Sequence, residues 1–148
     1  MPQSLHQVYG HIVFSTKDRV ALIDGEIEKE LYAYLGGIIR DLEAVPVVIN
    51  GMPDHVHLLV RTSKKVADME FLRQVKGSSS KWMSDQGVKG FKWQGGYGWF
   101  GVSAKDLPQA RGYVEKQKEH HRTVTYKEEV RKFLVQYRIE FDERYVWD

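Results

Sequence analysis

The order of apolar and polar positions predicts most of the elements. Over residues 4–16, His6, Val8, Gly10, Ile12 and Phe14 share one parity and Tyr9, His11 and Val13 the other, the alternation of a strand. Beyond the polar Lys17-Asp18-Arg19 turn the period lengthens. Ile27, Leu31, Tyr34, Leu35, Ile38 and Leu42 recur near helical spacing and predict a helix over 26–43, with Asp24 as N-cap. Its acidic first turn suits the helix dipole, and Gly36-Gly37 weakens its middle. A β-branched strand over 45–49, a tight turn at Asn50-Gly51 and a returning strand over 55–61 read as an antiparallel hairpin.

A second helix is predicted over 66–84, with Met69, Leu72, Val75 and Met83 facing inward and a poor helical run at Gly77-Ser78-Ser79-Ser80. Residues 87–96 read as loop and 97–103 as a strand. Asp106, Pro108 and Gln109 together mark a helix start, and that helix is expected to continue to His121. Thr125 and Glu128 repeat the capping-box pattern before Val130, Phe133, Leu134 and Tyr137. The aromatic and charged tail, 141–148, is expected to dock.

The order β-α-β-β-α-β-α-α, without repeat or linker, predicts one domain over 1–148. Its class is α+β and ferredoxin-like, an antiparallel sheet covered by helices. Composition agrees with a packed core, at 42% apolar and 28% charged residues. No apolar run is long enough to cross a membrane, and the opening Met1-Pro2-Gln3-Ser4 starts no signal peptide. Cysteine is absent, which excludes disulfides, thiolate ligands and cysteine nucleophiles and fits a cytoplasmic protein. The net charge of +2 is modest, but Arg61, Lys64, Lys65, Arg73, Lys76, Lys81, Lys89 and Lys92 face only Asp68, Glu70 and Asp85 in the middle of the chain. That imbalance suits a phosphate-bearing partner, and equally a solvated helix face.

Candidate chemistry begins at His55-Val56-His57, where two imidazoles project from one face of a strand. Such a pair is a partial site for a divalent metal; a turn-capping and a sheet histidine would look the same. On the helix from Leu107, the residues Leu107, Ala110, Val114 and His121 follow a core stripe, while Tyr113, Gln117 and His120 form a row beside it. An isolated tyrosine there would be packing. Paired with the histidines, Gln117 could complete a metal shell and Tyr113 supply an oxygen nucleophile. Gly112 weakens this helix, either to give the phenol and helix room to move or for local packing. His120 and His121 read as solvent-facing or as partners of the helix dipole, with metal or phosphate contact as the alternative.

The segments Pro53-Asp54-His55-Val56-His57-Leu58, Gly96-Tyr97-Gly98-Trp99-Phe100-Gly101-Val102-Ser103 and Tyr113-Val114-Glu115-Lys116-Gln117 together resemble the single-tyrosine HUH transposases of small bacterial insertion sequences. Tyr9-Gly10-His11-Ile12-Val13-Phe14-Ser15-Thr16-Lys17 and the closing Asp142-Glu143-Arg144-Tyr145-Val146-Trp147-Asp148 look like the same family. The resemblance implies His55 and His57 as metal-binding histidines, Tyr113 as the catalytic tyrosine and Gln117 as a third metal ligand. It further implies a magnesium- or manganese-dependent enzyme that cleaves single-stranded DNA at element ends through a 5′-phosphotyrosine, leaves a 3′-hydroxyl and rejoins strands.

Its members recognise subterminal hairpins as homodimers, the tyrosine helix of one subunit completing the other's site. For DNA, the candidate cations are Lys17 and Arg19 in the first loop and Arg61, Lys64, Lys65, Arg73 and Lys76 around the second helix, with Trp93, Tyr97 or Trp99 as stacking platforms. The competing readings are a non-cleaving hairpin-binding regulator and a phosphoesterase that uses water. Neither needs Tyr113.

Overall fold

The computed structural model describes residues 2–148. The chain forms β1 (Tyr9–Ser15), a single 3-10 turn (Lys17–Arg19), α1 (Gly25–Asp41), β2 (Val45–Met52), β3 (His55–Arg61) and α2 (Asp68–Asp85). It continues through β4 (Gly98–Val102), α3 (Leu107–Glu115), α4 (Gln117–His120) and α5 (Tyr126–Gln136). The four strands lie in the order β2-β3-β1-β4, every pair antiparallel. With α1 and α2 as crossovers this is the ferredoxin-like arrangement expected.

Strand parity divides the molecule into two layers. Ile12 and Phe14 of β1 and Val56, Leu58 and Val60 of β3 face α1 and α2, where they are buried against Leu31, Leu35, Ile39, Phe71, Leu72 and Val75. The opposite parity carries Val13, which packs with Phe100, Tyr126, Val130, Leu134 and Trp147 under α5 and the tail. His55 and His57 lie on this second face, which is not covered until α3, α4 and α5 close over it. The C-terminal tail docks as anticipated through Trp147. Its carbonyl accepts from Arg19 Nη1 at 3.0 Å, and the carbonyl of Asp148 accepts from Gly96 N at 2.9 Å.

Four local readings change. Met69 is 81% exposed, because α2 starts at Asp68 and places this residue on the solvent side of its first turn. Neither Asp24 nor Asp106 makes a side-chain cap, whereas Thr125 accepts from Glu128 N. The helix expected over 107–121 breaks at Lys116 (φ −97°, ψ 17°) into α3 and α4. Asn50 supports the break by donating through Nδ2 to the carbonyls of Val114 (2.9 Å) and Glu115 (3.2 Å), which a helix end leaves without intrahelical partners.

Asn50-Gly51 is therefore not the turn. Both residues extend β2, and the chain reverses at Pro53-Asp54. Gly51 pairs with Val56, and a Cβ there would lie 2.2 Å from the His55 carbonyl oxygen and 2.9 Å from Val56 Cα. Gly51→Ala must push two backbone strands apart, so we expect a loss of about 1–3 kcal/mol in chemical denaturation, the range for overpacking. An unchanged denaturation midpoint would show that the hairpin absorbs the methyl group.

Candidate active site

β3 carries His55 and His57 two residues apart, and α5 brings Glu129 against both from above the sheet. The Glu129 side chain is almost completely buried, and each of its oxygens has a different set of neighbours. Oε1 lies 3.0 Å from His57 Nε2, 3.0 Å from His121 Nε2 and 3.6 Å from His55 Nε2. Oε2 accepts from the Tyr113 hydroxyl and from Gln117 Nε2 at 3.1 Å, with His120 Nε2 at 3.4 Å. A single carboxylate thus has a histidine side and a tyrosine side.

The partners of each ring fix its protons. His55 Nδ1 donates to Asp54 Oδ1 at 2.7 Å, so in the neutral ring Nε2 is the lone-pair nitrogen. That buried nitrogen has no hydrogen-bond partner, and neither has the buried Gln117 Oε1. His57 lies between two rings' worth of partners: its Nδ1 is 2.7 Å from His11 Nε2, and the His11 and His57 rings stack with centroids 4.9 Å apart. Burial holds His57 down to about 4 and His11 to about 3, the second also disfavoured by His57, so both are neutral near pH 7. His121 differs. Burial opposes its charge, but Glu129 on Nε2 and the Val124 carbonyl (2.7 Å) on Nδ1 raise it above the ordinary histidine value.

Burial likewise opposes ionisation of Glu129, yet the hydrogen bonds from His121 and His57 outweigh it and hold the carboxyl well below the ordinary range. Tyr113 moves the other way. Burial first, then the negative charge of Glu129, push its phenol well above 10. A nucleophilic Tyr113 would need its proton accepted and its electrophile polarised.

His55, His57, His121 and Glu129 each offer one ligand atom, all within 4.8 Å of one another, and the group could bind a divalent metal. The lone pairs at His55 Nε2 and Gln117 Oε1 fit that use, being buried acceptors without a donor. Asp54 and His11 hold the outer nitrogens of His55 and His57, the arrangement that orients imidazole ligands on a metal.

One chain brings together His55, His57, Tyr113 and Gln117, all four residues singled out in the sequence. The tyrosine stands beside this chain's own histidine pair, both reaching Glu129. Sequence reasoning gives no site role to Glu129 or His11, and offers His120 and His121 only as alternative ligands or phosphate contacts. Glu129 had a legible signal, since it lies on the apolar face of α5 three residues after Tyr126 and four before Phe133. His121, placed by the sequence on the core stripe, does face inward, and after the break at Lys116 its Nε2 meets Glu129 Oε1 at 3.0 Å.

The DNA-contact candidates divide. Lys17, Arg61 and Lys64 are exposed and stand in no ion pair among the described residues. Lys65 pairs with Glu43 at 3.1 Å and Arg73 with Glu70 at 2.6 Å. Arg19 holds the tail, and Lys76 is occupied by the carbonyls of Gln94 (2.6 Å), Gly96 (3.0 Å) and Gly95 (3.3 Å). Trp93 is buried in the α1–α2 layer and donates to Ser79 Oγ, which removes it as a stacking platform; Tyr97 is 48% exposed. No helix among the described residues is long and apolar enough to cross a membrane.

The comparisons with known proteins agree with one another. The family model "Transposase IS200 like" matches residues 4–117. The ISDra2 transposase TnpA of Deinococcus radiodurans is 27% identical, over 76% of this chain and 86% of that protein. Among solved structures, a Deinococcus radiodurans R1 protein described as a transposase superposes with a TM-score of 0.63 at 24% identity, covering 79% of this chain and 98% of its own. A REP-associated tyrosine transposase bound to a REP hairpin superposes at 0.60 with 15% identity, over 84% of this chain and 76% of its own. Both structures share the four-stranded fold. With more than three quarters of its length matched by the family model, the chain belongs to the IS200-like transposase family.

Proposed function

We propose that this protein cleaves and rejoins single-stranded DNA at the ends of a mobile element, with Tyr113 as the nucleophile. The observation that carries this reading is the convergence of Tyr113 and His57 on the two oxygens of one buried carboxylate. A phosphoesterase using water has no need of a tyrosine there, and a binding module needs neither group. The hairpin-bound relative supports a folded DNA end as the binding target.

His55 and His57 through Nε2, Gln117 through Oε1 and Glu129 through Oε1 would hold a magnesium or manganese ion. When bound, such an ion neutralises charge on the scissile phosphate and makes its phosphorus a better electrophile. The chain's own residues do the rest. Glu129 Oε2 accepts the hydrogen bond of the Tyr113 hydroxyl and takes its proton as the phenol oxygen bonds to phosphorus. The bond from phosphorus to the 3′ oxygen breaks, and that oxygen leaves as a hydroxyl after receiving a proton from solvent or His120. Rejoining reverses these transfers, with an incoming 3′-hydroxyl displacing the tyrosine. The number of phosphoester bonds is conserved, so no nucleotide triphosphate is consumed.

The test uses 5′- and 3′-labelled single strands from the DNA flanking the gene, incubated with protein and manganese. A covalent adduct carrying the label of the 3′ fragment, mapped to the Tyr113 peptide, is the expected result. Cleavage to free 5′-phosphate ends without an adduct would replace this reading with hydrolysis.

A further inference from the structure

A cleft of about 440 Å³ opens on Tyr113, with His11 and His120 also on its lining, within the ~300–1,000 Å³ typical of ligand pockets. It runs between α3 and α5, floored by Gly101 at the end of β4. We propose that this cleft is a nucleotide subsite that takes up an unpaired base of the single strand next to the scissile phosphate. The inference rests on Tyr113 being the nucleophile, because its position places the cleft beside the bond to be broken.

The wall away from Tyr113 is aromatic. The Phe133 ring stands edge-on to Tyr113 (centroids 5.5 Å apart, 90°) and stacks on Phe100 at 5.0 Å. Tyr137 continues this surface, tilted on Phe100 at 4.9 Å, and remains 40% exposed at the mouth. Its hydroxyl donates to the Gly101 carbonyl at 3.2 Å, which fixes the ring in place while leaving part of its surface open. A fixed, partly exposed ring is the stacking partner that unpaired bases select, whatever their identity.

The polar groups of the cleft suit the rest of a nucleotide. Lys132 lines it and stands in no ion pair among the described residues, so its ammonium is available to a backbone phosphate. Gln109 and Gln136 line it from either helix and make no side-chain hydrogen bond among the described residues, leaving both amides for a base edge. The carboxylates on the wall do not close it to DNA. Glu129 is held by the histidines and Tyr113, Glu128 accepts from Thr125, and Asp106 sits at the exposed rim.

A thymidylate dodecamer with 5-iodouracil at every position probes the cleft in any register. On irradiation, crosslinks should map to the peptide containing Phe133 and Tyr137. Base–aromatic stacking predicts that Tyr137→Ala weakens binding of this oligonucleotide by about 5–150-fold. Ala110→Trp, which fills the cleft from α3, should produce a fall of the same order, and Lys132→Glu a fall that shrinks as salt is raised. Crosslinks confined to other surfaces, with wild-type affinity in Ala110→Trp, overturn the subsite even if the Tyr113 adduct forms. Crosslinks in the cleft without any adduct on Tyr113 keep the subsite and overturn the reaction instead.

Discussion

Tyr113→Phe is expected to abolish the covalent protein–DNA adduct and to lower strand cleavage by on the order of 10⁴-fold or more, with the affinity for a hairpin end staying within about twofold. Loss of a covalent nucleophile removes the reaction path rather than one contribution to it, which is why the effect is so large. The alternative explanation, that the variant unfolds, can be judged by magnitude. The phenol donates one hydrogen bond to an ionised carboxylate, worth about 1.5–3 kcal/mol, against a domain stability of about 5–15 kcal/mol. Glu129 also keeps His57, His121 and Gln117 as donors. The variant therefore stays folded, and circular dichroism beside the adduct assay checks this. Adduct formation at a wild-type rate in the folded variant would move the nucleophile elsewhere.

Glu129→Ala gives the second large effect, on stability and on metal together. It takes from His121 and His57 the buried carboxylate they both face, and removing one partner of a buried pair costs about 3–5 kcal/mol. For a chain of this size that corresponds to a melting temperature lower by about 6–20 °C. Glu129→Gln keeps the volume and an acceptor but removes the charge, so it separates packing from electrostatics. In the wild type, manganese at about 100 times its dissociation constant should add about 2.7 kcal/mol to the stability. That gain should shrink strongly in Glu129→Gln and vanish in the His55→Ala, His57→Ala double variant. An equal manganese shift in Glu129→Gln and wild type would exclude this carboxylate from the ligand set.

The fold could be read from the sequence because parity and helical period each leave a repeated signal. The two faces of β1 and β3, one apolar against α1 and α2 and one bearing His55 and His57, follow from alternation alone. The errors arose where tertiary contacts override local pattern. Asn50-Gly51 has the composition of a hairpin turn, yet β2 continues through it because α3 needs the Asn50 amide at its end and β3 needs the space above Gly51. The break at Lys116 has no strong local cause, so the meeting of His121 with Glu129 could not be read. Glu129 was hidden by a sound reading of its neighbours, since Thr125 and Glu128 explain an acidic helix start without it. Only its place on the apolar face of α5 distinguishes it from the solvent-facing Glu128.

Gly112 shows the same limit from another direction. Its position before Tyr113 suggested room for the helix to move or a packing need, but a Cβ there would meet nothing within 4 Å. The structure gives no steric reason for a glycine at this place.

Just past the tyrosine, the chain is fastened to the opposite edge of the sheet. Asn50 holds the last carbonyls of α3, and one turn later Lys118 Nζ reaches the Gly51 carbonyl (2.6 Å), Glu28 (2.6 Å) and Asn50 (3.1 Å). Tyr113 is thus held on both sides, by this clasp and by Glu129. If strand exchange proceeds at this site with those contacts kept, the DNA ends are the parts that trade places. The pace of rejoining would be set by how fast a free 3′ end swings in, and so by the length and stiffness of the single strand between hairpin and break.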